Sequence, residues 1–181
     1  MTFLTTALGE LEQVMRAIDP QSVTHACRMI TAAENIMVYG CGREGLQLRG
    51  FAMRLHHLGR SVAVQGDMTA RPLGPGDLFI ACAGPGELPT VTALMKVAET
   101  AGAKILFITA VPGTASNALA SHTLVVPAQT MANDRTGTSA LPMGSLFEGG
   151  LFLLFEAMID ELRKMLGESF ADMRLRHTNM E

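Results

Sequence analysis

The chain has 181 residues, of which 48% are hydrophobic and 17% charged, with a formal net charge of −3. This apolar fraction is ample for a buried core and excludes a disordered or collagen-like chain, and the length suits one domain spanning 1–181. The slight acidity disfavours a protein that grips a nucleic-acid backbone over a broad face.

Three cysteines, Cys27, Cys41 and Cys82, are odd in number and lack metal-ligand spacing. A disulfide framework and a zinc site are both poor readings, and reduced thiols in a cytoplasmic setting are expected. The opening MTFLTTALGELEQVMR has no basic start followed by an apolar block, so no secretion signal is expected. The segment 105–133 carries no Asp, Glu, Lys or Arg, but Pro112, Gly113, Ser116, Asn117 and Ser121 interrupt it. Its apolar pieces are strand-sized, and a membrane span is not expected.

In chain order, Leu4, Leu8, Leu11, Met15 and Ile18 recur at helical spacing. Asp19 and Pro20 then restart a helix as N-cap and first helical residue, with Val23, Ala26, Cys27, Ile30 and Ala33 as its apolar stripe. Short apolar strands are predicted at 35–39, 61–65, 78–82, 104–109 and 123–126. Helices are predicted at 44–58, 89–101 and 116–121. A polar loop, 128–144, leads into a long helix at 145–166 that Gly167 ends, and a polar tail, 174–181, follows. Apolar strands alternating with amphipathic helices predict an α/β fold with a parallel sheet covered on both faces. In such folds ligands gather outside the carboxyl ends of the strands, so the strand-to-helix turns carry the function.

Three turns stand out. The first, Gly40-Cys41-Gly42-Arg43-Glu44-Gly45, fits GxGxxG at a strand-to-helix junction, with Asp67 further on. Alone it fits a dinucleotide, another anion, or a tight turn that binds nothing. The second, Ala83-Gly84-Pro85-Gly86-Glu87-Leu88-Pro89-Thr90, is another glycine-rich loop before a helix. A dinucleotide needs only one such loop, so two suggest a compact anionic ligand between them. The third is Pro142-Met143-Gly144-Ser145-Leu146-Phe147-Glu148-Gly149-Gly150. Ser145 and Glu148 fit an S-x-x-E capping box, and on spacing alone that is the expected role of Glu148. Gly149 and Gly150 cost about 1 kcal/mol each in a helix, so a neighbouring helix or a ligand is expected to approach that backbone closely.

Other chemistry-bearing residues have plainer readings. Cys41 is expected to fill the tight turn, with facing a ligand as the alternative. His56 and His57 are expected beside the helix end, Arg49 and Arg54 in solvent, and the 13 methionines in core gaps. Asp134-Arg135 lies in the long loop as a lid or a subunit contact.

Together and in this order, these turns resemble the sugar isomerase (SIS) domain family, and most closely its 6-phospho-3-hexuloisomerases. The residues carrying the likeness are Val38-Tyr39-Gly40-Cys41-Gly42-Arg43, Phe51-Ala52-Met53-Arg54-Leu55-x-His57-Leu58-Gly59, Gly84-x-Gly86-Glu87, Pro142-Met143-Gly144-Ser145-Leu146-Phe147-Glu148, and the end Arg176-His177-x-Asn179-x-Glu181. The resemblance implies a three-layer α/β/α sandwich with a five-stranded parallel sheet, doubly wound in the flavodoxin-like manner. It also implies a tetramer built from dimers with shared sites. The implied activity is interconversion of 3-hexulose 6-phosphate and fructose 6-phosphate, with no metal or organic cofactor. It assigns Glu148 as base and His177, from a neighbouring subunit, as ring-opening or proton-shuttling partner. Gly42, Arg43, Glu44, Ala83, Gly84, Gly86, Glu87, Thr90 and Ser145 are the implied substrate contacts. The resemblance also leaves Arg54 open to a role supporting the site from behind.

Two departures from that pattern matter. The family's phosphate loop usually reads S-G-S-G-E-T, and here it reads Ala83-Gly84-Pro85-Gly86-Glu87-Leu88. Three hydroxyls and one N–H are missing, and each lost hydrogen bond to a charged ligand costs about 1.5–3 kcal/mol. The first turn usually reads G-R-S-G, and here Glu44 stands in place of the serine. Two expectations follow: an isomerase acting on a sugar phosphate or a less anionic sugar, or a carbohydrate-binding regulatory module without turnover. A dinucleotide site is third.

Overall fold

The computed structural model describes residues 2–134 and 139–180. Two helices, α1 (Phe3–Ala17) and α2 (Pro20–Ala32), precede the first strand. Then come β1 (Ile36–Gly40), α3 (Gly42–His57), β2 (Val62–Val64), β3 (Leu78–Cys82), α4 (Pro89–Thr100) and β4 (Lys104–Thr109). A 3₁₀ turn (Ala115–Leu119), β5 (His122–Val125), α5 (Ser145–Leu166) and α6 (Phe170–Leu175) complete the chain. Element boundaries fall within about two residues of those predicted, helix 116–121 proving to be the 3₁₀ turn. No helix of the described residues is long and apolar enough to cross a membrane.

The five strands form one parallel sheet in the order β2-β1-β3-β4-β5. Strand side chains alternate between faces, and both faces are covered. Even-numbered residues Ile36, Val38, Leu78, Ile80, Leu106 and Ile108 enter a large core beneath α2, α3 and α5. Odd-numbered Phe79, Ala81, Ile105 and Phe107 enter a smaller core with Val91, Met95 and Ala98 of α4. Both faces being buried explains why Leu78–Cys82 of β3 and Ile105–Ile108 of β4 read as uninterrupted apolar runs.

α5 is the central helix of the larger layer. Its Phe155 stacks on Phe51 of α3 with ring centroids 4.4 Å apart, and Arg54 of α3 forks onto Glu156 at 3.0 Å on each arm. Arg54 is therefore an interhelical tie and is not merely solvated. The glycines inside α5 make room for α1. A Cβ on Gly149 would lie 3.0 Å from Leu11, and one on Gly150 would lie 3.3 Å from Val14. Of the two partners expected at that backbone, the neighbouring helix is the one found. The far end of α1 differs from expectation, because Leu4 and Leu8 are exposed there and Ala7 is the buried residue before Leu11.

Capping follows the sequence. Asp19 accepts from the Gln21 N–H at 2.9 Å and starts α2 with Pro20, and Gly167 closes α5.

Candidate functional site

The chain leaves β1, runs outward to β2, and returns to β3 on the other side of β1. That reversal is a topological switch point, with the turns after β1 and β3 on either side of a crevice. A cavity of about 580 Å³ occupies it. The first turn contributes Cys41 to Glu44, the loop after β3 contributes Pro85, Glu87 and Leu88, and the start of α5 contributes Gly144, Phe147 and Glu148. Thr130, Met131 and Ala132, from the loop after β5, complete the wall.

Arg43 joins α3 to the start of α5. Its Nη1 donates to Ser145 Oγ at 2.9 Å, and its Nη2 donates to the Met143 carbonyl. Nη2 also lies 3.2 Å from Glu148 Oε2. That contact is an ion pair; Oε2 is shielded from solvent and accepts no hydrogen bond among the described residues. The Glu148 side chain is only 14% exposed. Burial pushes its pKa above the ordinary carboxylate range, Arg43 opposes this, and the negative charge of Glu44 reinforces it. A carboxylate tuned upward, with a free lone pair, on a cavity wall and one turn from a helix N-terminus, suits proton abstraction.

The expected capping box is not formed. Gly144, not Ser145, is the N-cap of α5, and no side chain caps this end. Ser145 instead receives the Arg43 hydrogen bond. The reason is local backbone shape. Met143 and Gly144 are both left-handed, with φ of 55° and 79°, and turn the chain into α5 one residue earlier than the motif implies. Asp134 fastens the turn by accepting from the Met143 N–H. A Cβ on Gly144 would sit 2.6 Å from the Met131 nitrogen, so only glycine lets the loop after β5 lie over the start of α5. Glu148 is thus released from capping to face the cavity. Arg135, paired with Asp134 in the sequence reading, lies outside the described residues.

Glu44 is the other buried carboxylate. It accepts from the Gly84 N–H with both oxygens, at 3.0 and 3.1 Å. Burial raises its pKa, while the Gly84 N–H, the Cys82 thiol and Arg43 hold it down. Glu44 and burial in turn drive the Cys82 thiol well above its ordinary value.

The cavity therefore gathers Gly42, Arg43, Glu44, Glu87 and Glu148 from the residues singled out in the sequence. Ser145 touches it only through Arg43. Gly84 backs it through Glu44, while Ala83 and Gly86 lie buried behind the loop and Thr90 points to solvent at the start of α4. Within one chain His177 is not at the cavity. Its ring lies against His57, with centroids 5.1 Å apart, at the far end of α3. The tail is moored there by Arg176, which donates to the His57 carbonyl at 2.9 Å and pairs with Glu168 at 2.7 Å. α3 runs from Gly42 to His57, so this is about 22 Å from the cavity at 1.5 Å per residue. Glu181, at the end of the motif, lies outside the described residues.

Of the two roles open to Cys41, the cavity-facing one is found: it lines the cavity, with its Sγ 3.8 Å from the Tyr39 hydroxyl. Phe147 belongs to the third turn, whereas Thr130, Met131 and Ala132 come from a stretch that carried no site motif. Their signal is topological: β5 is the edge strand, so the chain must cross the carboxyl ends of the sheet to reach α5. Asp67 does not reach the cavity and accepts from the Val64 N–H at 3.3 Å. Among the described residues, no three His, Cys, Asp or Glu side chains cluster as metal ligands do.

Known proteins resemble this chain in sequence and fold. The 3-hexulose-6-phosphate isomerase of Mycobacterium gastri is 33% identical over 178 residues, covering 98% of this chain and 89% of its own. That of Methylomonas aminofaciens is 36% identical over 154 residues, 84% of each chain. A hypothetical protein of Methanococcus jannaschii, whose crystal structure was described as inferring a 3-hexulose-6-phosphate isomerase function, superposes with a TM-score of 0.85 and 25% identity over 98% of both chains. The sequence model of the SIS domain matches residues 29–146, the segment that carries the sheet, both glycine turns and the start of α5. The chain belongs to the SIS domain family.

Proposed function

We propose that this chain is a sugar isomerase that interconverts 3-hexulose 6-phosphate and fructose 6-phosphate through an enediolate. The observation that carries the reading is Glu148, a shielded carboxylate on the cavity wall with raised pKa and, among the described residues, no hydrogen bond to Oε2. In the forward direction Glu148 takes the proton from C2 of the 3-ketose. The C2–H electron pair forms the C2=C3 double bond, and the carbonyl oxygen becomes the enediolate oxyanion. Protonated Glu148 then returns the proton to C3, while the O2 hydroxyl proton passes to O3 and leaves the carbonyl at C2. Arg43 positions Glu148 and offsets the developing negative charge. Every step moves protons only.

His177 is assigned to a neighbouring subunit, which accords with its distance from Glu148 within one chain. A homotetramer with shared sites is part of the same proposal. Exposed apolar side chains support it: Phe3, Leu4 and Leu8 on α1 and Phe152 and Leu153 on α5, two helices that pack together, are bare. We also propose that the whole chain, 1–181, works as one unit in a reducing cytoplasmic setting. The packing of α1 on α5 and the free thiols of Cys27, Cys41 and Cys82 support this.

The test is direct conversion of 3-hexulose 6-phosphate to fructose 6-phosphate by the purified protein. Mixing inactive Glu148→Gln and His177→Ala proteins should restore part of the activity if sites are shared. Ligand binding without any turnover would favour the regulatory-module reading instead.

A further inference from the structure

At the switch point a free backbone N–H after β3 is where an anion would be held. In this chain a negative charge of the protein's own already sits there. Glu44 presents both carboxylate oxygens to the Gly84 N–H. The approach is close, since a Cβ on Gly84 would lie 2.7 Å from Glu44 Oε1 and 2.9 Å from the Phe147 ring. The next residue, Pro85, has no N–H to offer instead. Among the described residues around the cavity, Glu44, Glu87 and Glu148 are opposed by Arg43.

We infer that Glu44 determines specificity. By occupying the Gly84 N–H, it biases this end of the cavity toward the hydroxyl-bearing, uncharged part of a sugar and against a dianionic phosphoryl group. The inference deepens the function proposed above and rests on it for the substrate. One N–H cannot serve two anions at once. A sugar hydroxyl donates to the carboxylate, whereas a phosphoryl dianion has no proton to give and meets like charge. A phosphate ester therefore reaches Gly84 only when Glu44 swings away or takes up a proton. The groups facing Glu44 are Arg43 on its own helix, Cys82 on β3 and Glu148 on α5. Burial favours the protonated form, so binding of a phosphate ester carries a proton with it.

The experiment is calorimetric titration of fructose 6-phosphate and of fructose into the wild type, Glu44→Gln and Glu44→Ser, at pH 6 and pH 8. Glu44→Ser should bind fructose 6-phosphate at least tenfold more tightly than wild type at pH 8, and Glu44→Gln at least threefold. Fructose affinity should move less than twofold. Wild-type affinity for the ester should fall more between pH 6 and pH 8 than that of Glu44→Gln, a comparison that cancels the ester's own titration. Ester affinities within twofold of wild type in the variants, or weaker, would overturn the inference, as would no ester binding by any of the three. If Glu44→Ser does not melt cooperatively, the Gln variant decides alone. Turnover without these affinity changes refutes the role of Glu44 only, whereas the affinity changes without turnover refute the isomerase only.

Discussion

Gly144→Ala is expected to damage the fold and the site together. The left-handed conformation costs a residue with a Cβ about 1–2 kcal/mol. The new methyl would also lie 2.6 Å from the Met131 nitrogen and 3.1 Å from the Thr130 carbonyl carbon, both backbone atoms that cannot rotate aside. Relief requires the loop after β5 or the start of α5 to shift, an overpacking cost of about 1–3 kcal/mol. The sum is about 2–5 kcal/mol, which for a domain of this size lowers the melting temperature by about 4–20 °C. Gly113→Ala isolates the two contributions. Gly113 has φ of 86° and nothing within 4 Å of the position a Cβ would take, so it should cost only the conformational part. Because Gly144 aims Glu148, misplacement by about 1 Å should also cost about 100-fold in turnover. Thermal melting and steady-state rates of both variants provide the assay. Equal melting shifts for the two, with normal turnover in Gly144→Ala, would refute the close approach of loop and helix.

Three further outcomes follow from the packing and the charges. Phe155→Ala removes the stacked partner of Phe51 and should cost about 3–5 kcal/mol in urea denaturation, whereas Arg16→Ala on exposed α1 should cost less than about 1 kcal/mol. Arg43→Met removes the group that lowers the Glu148 pKa, so the acid limb of the kcat/KM profile should move to higher pH; a shift to lower pH contradicts the assignment. Glu44 has a raised pKa in the folded chain, so its contribution to stability is fully present below about 4.5 and is lost as pH rises through the folded value. Glu44→Gln should therefore gain stability relative to wild type as pH rises through that window, as read by denaturation at successive pH values.

The sheet was legible because its physics is local. Leu78–Cys82 of β3 and Ile105–Ile108 of β4 are buried on both faces and are apolar throughout, and the helix between the two strands carries a plain amphipathic stripe. Arg43, Glu44 and Glu148 were legible as chemistry, but their partners were not. Nothing in the spacing S-x-x-E reveals that Met143 and Gly144 turn left-handed and move the cap from Ser145 to Gly144. Nor could it show that Gly84 would spend its N–H on Glu44, a pairing across 40 residues. The wall formed by Thr130, Met131 and Ala132 depends on where the edge strand releases the chain, which only strand order reveals. Leu4 and Leu8 carried a core-like periodicity and lie exposed, because helical spacing marks an apolar face without naming what covers it.

Solvent-deuterium exchange tests the role of Glu148 most directly. With fructose 6-phosphate in deuterated water, the wild type should place deuterium on carbon beside the carbonyl, read by nuclear magnetic resonance. Glu148→Gln should slow this by about 100-fold or more while still being stabilised by the ligand in thermal melting. Exchange at the wild-type rate in Glu148→Gln would contradict the account.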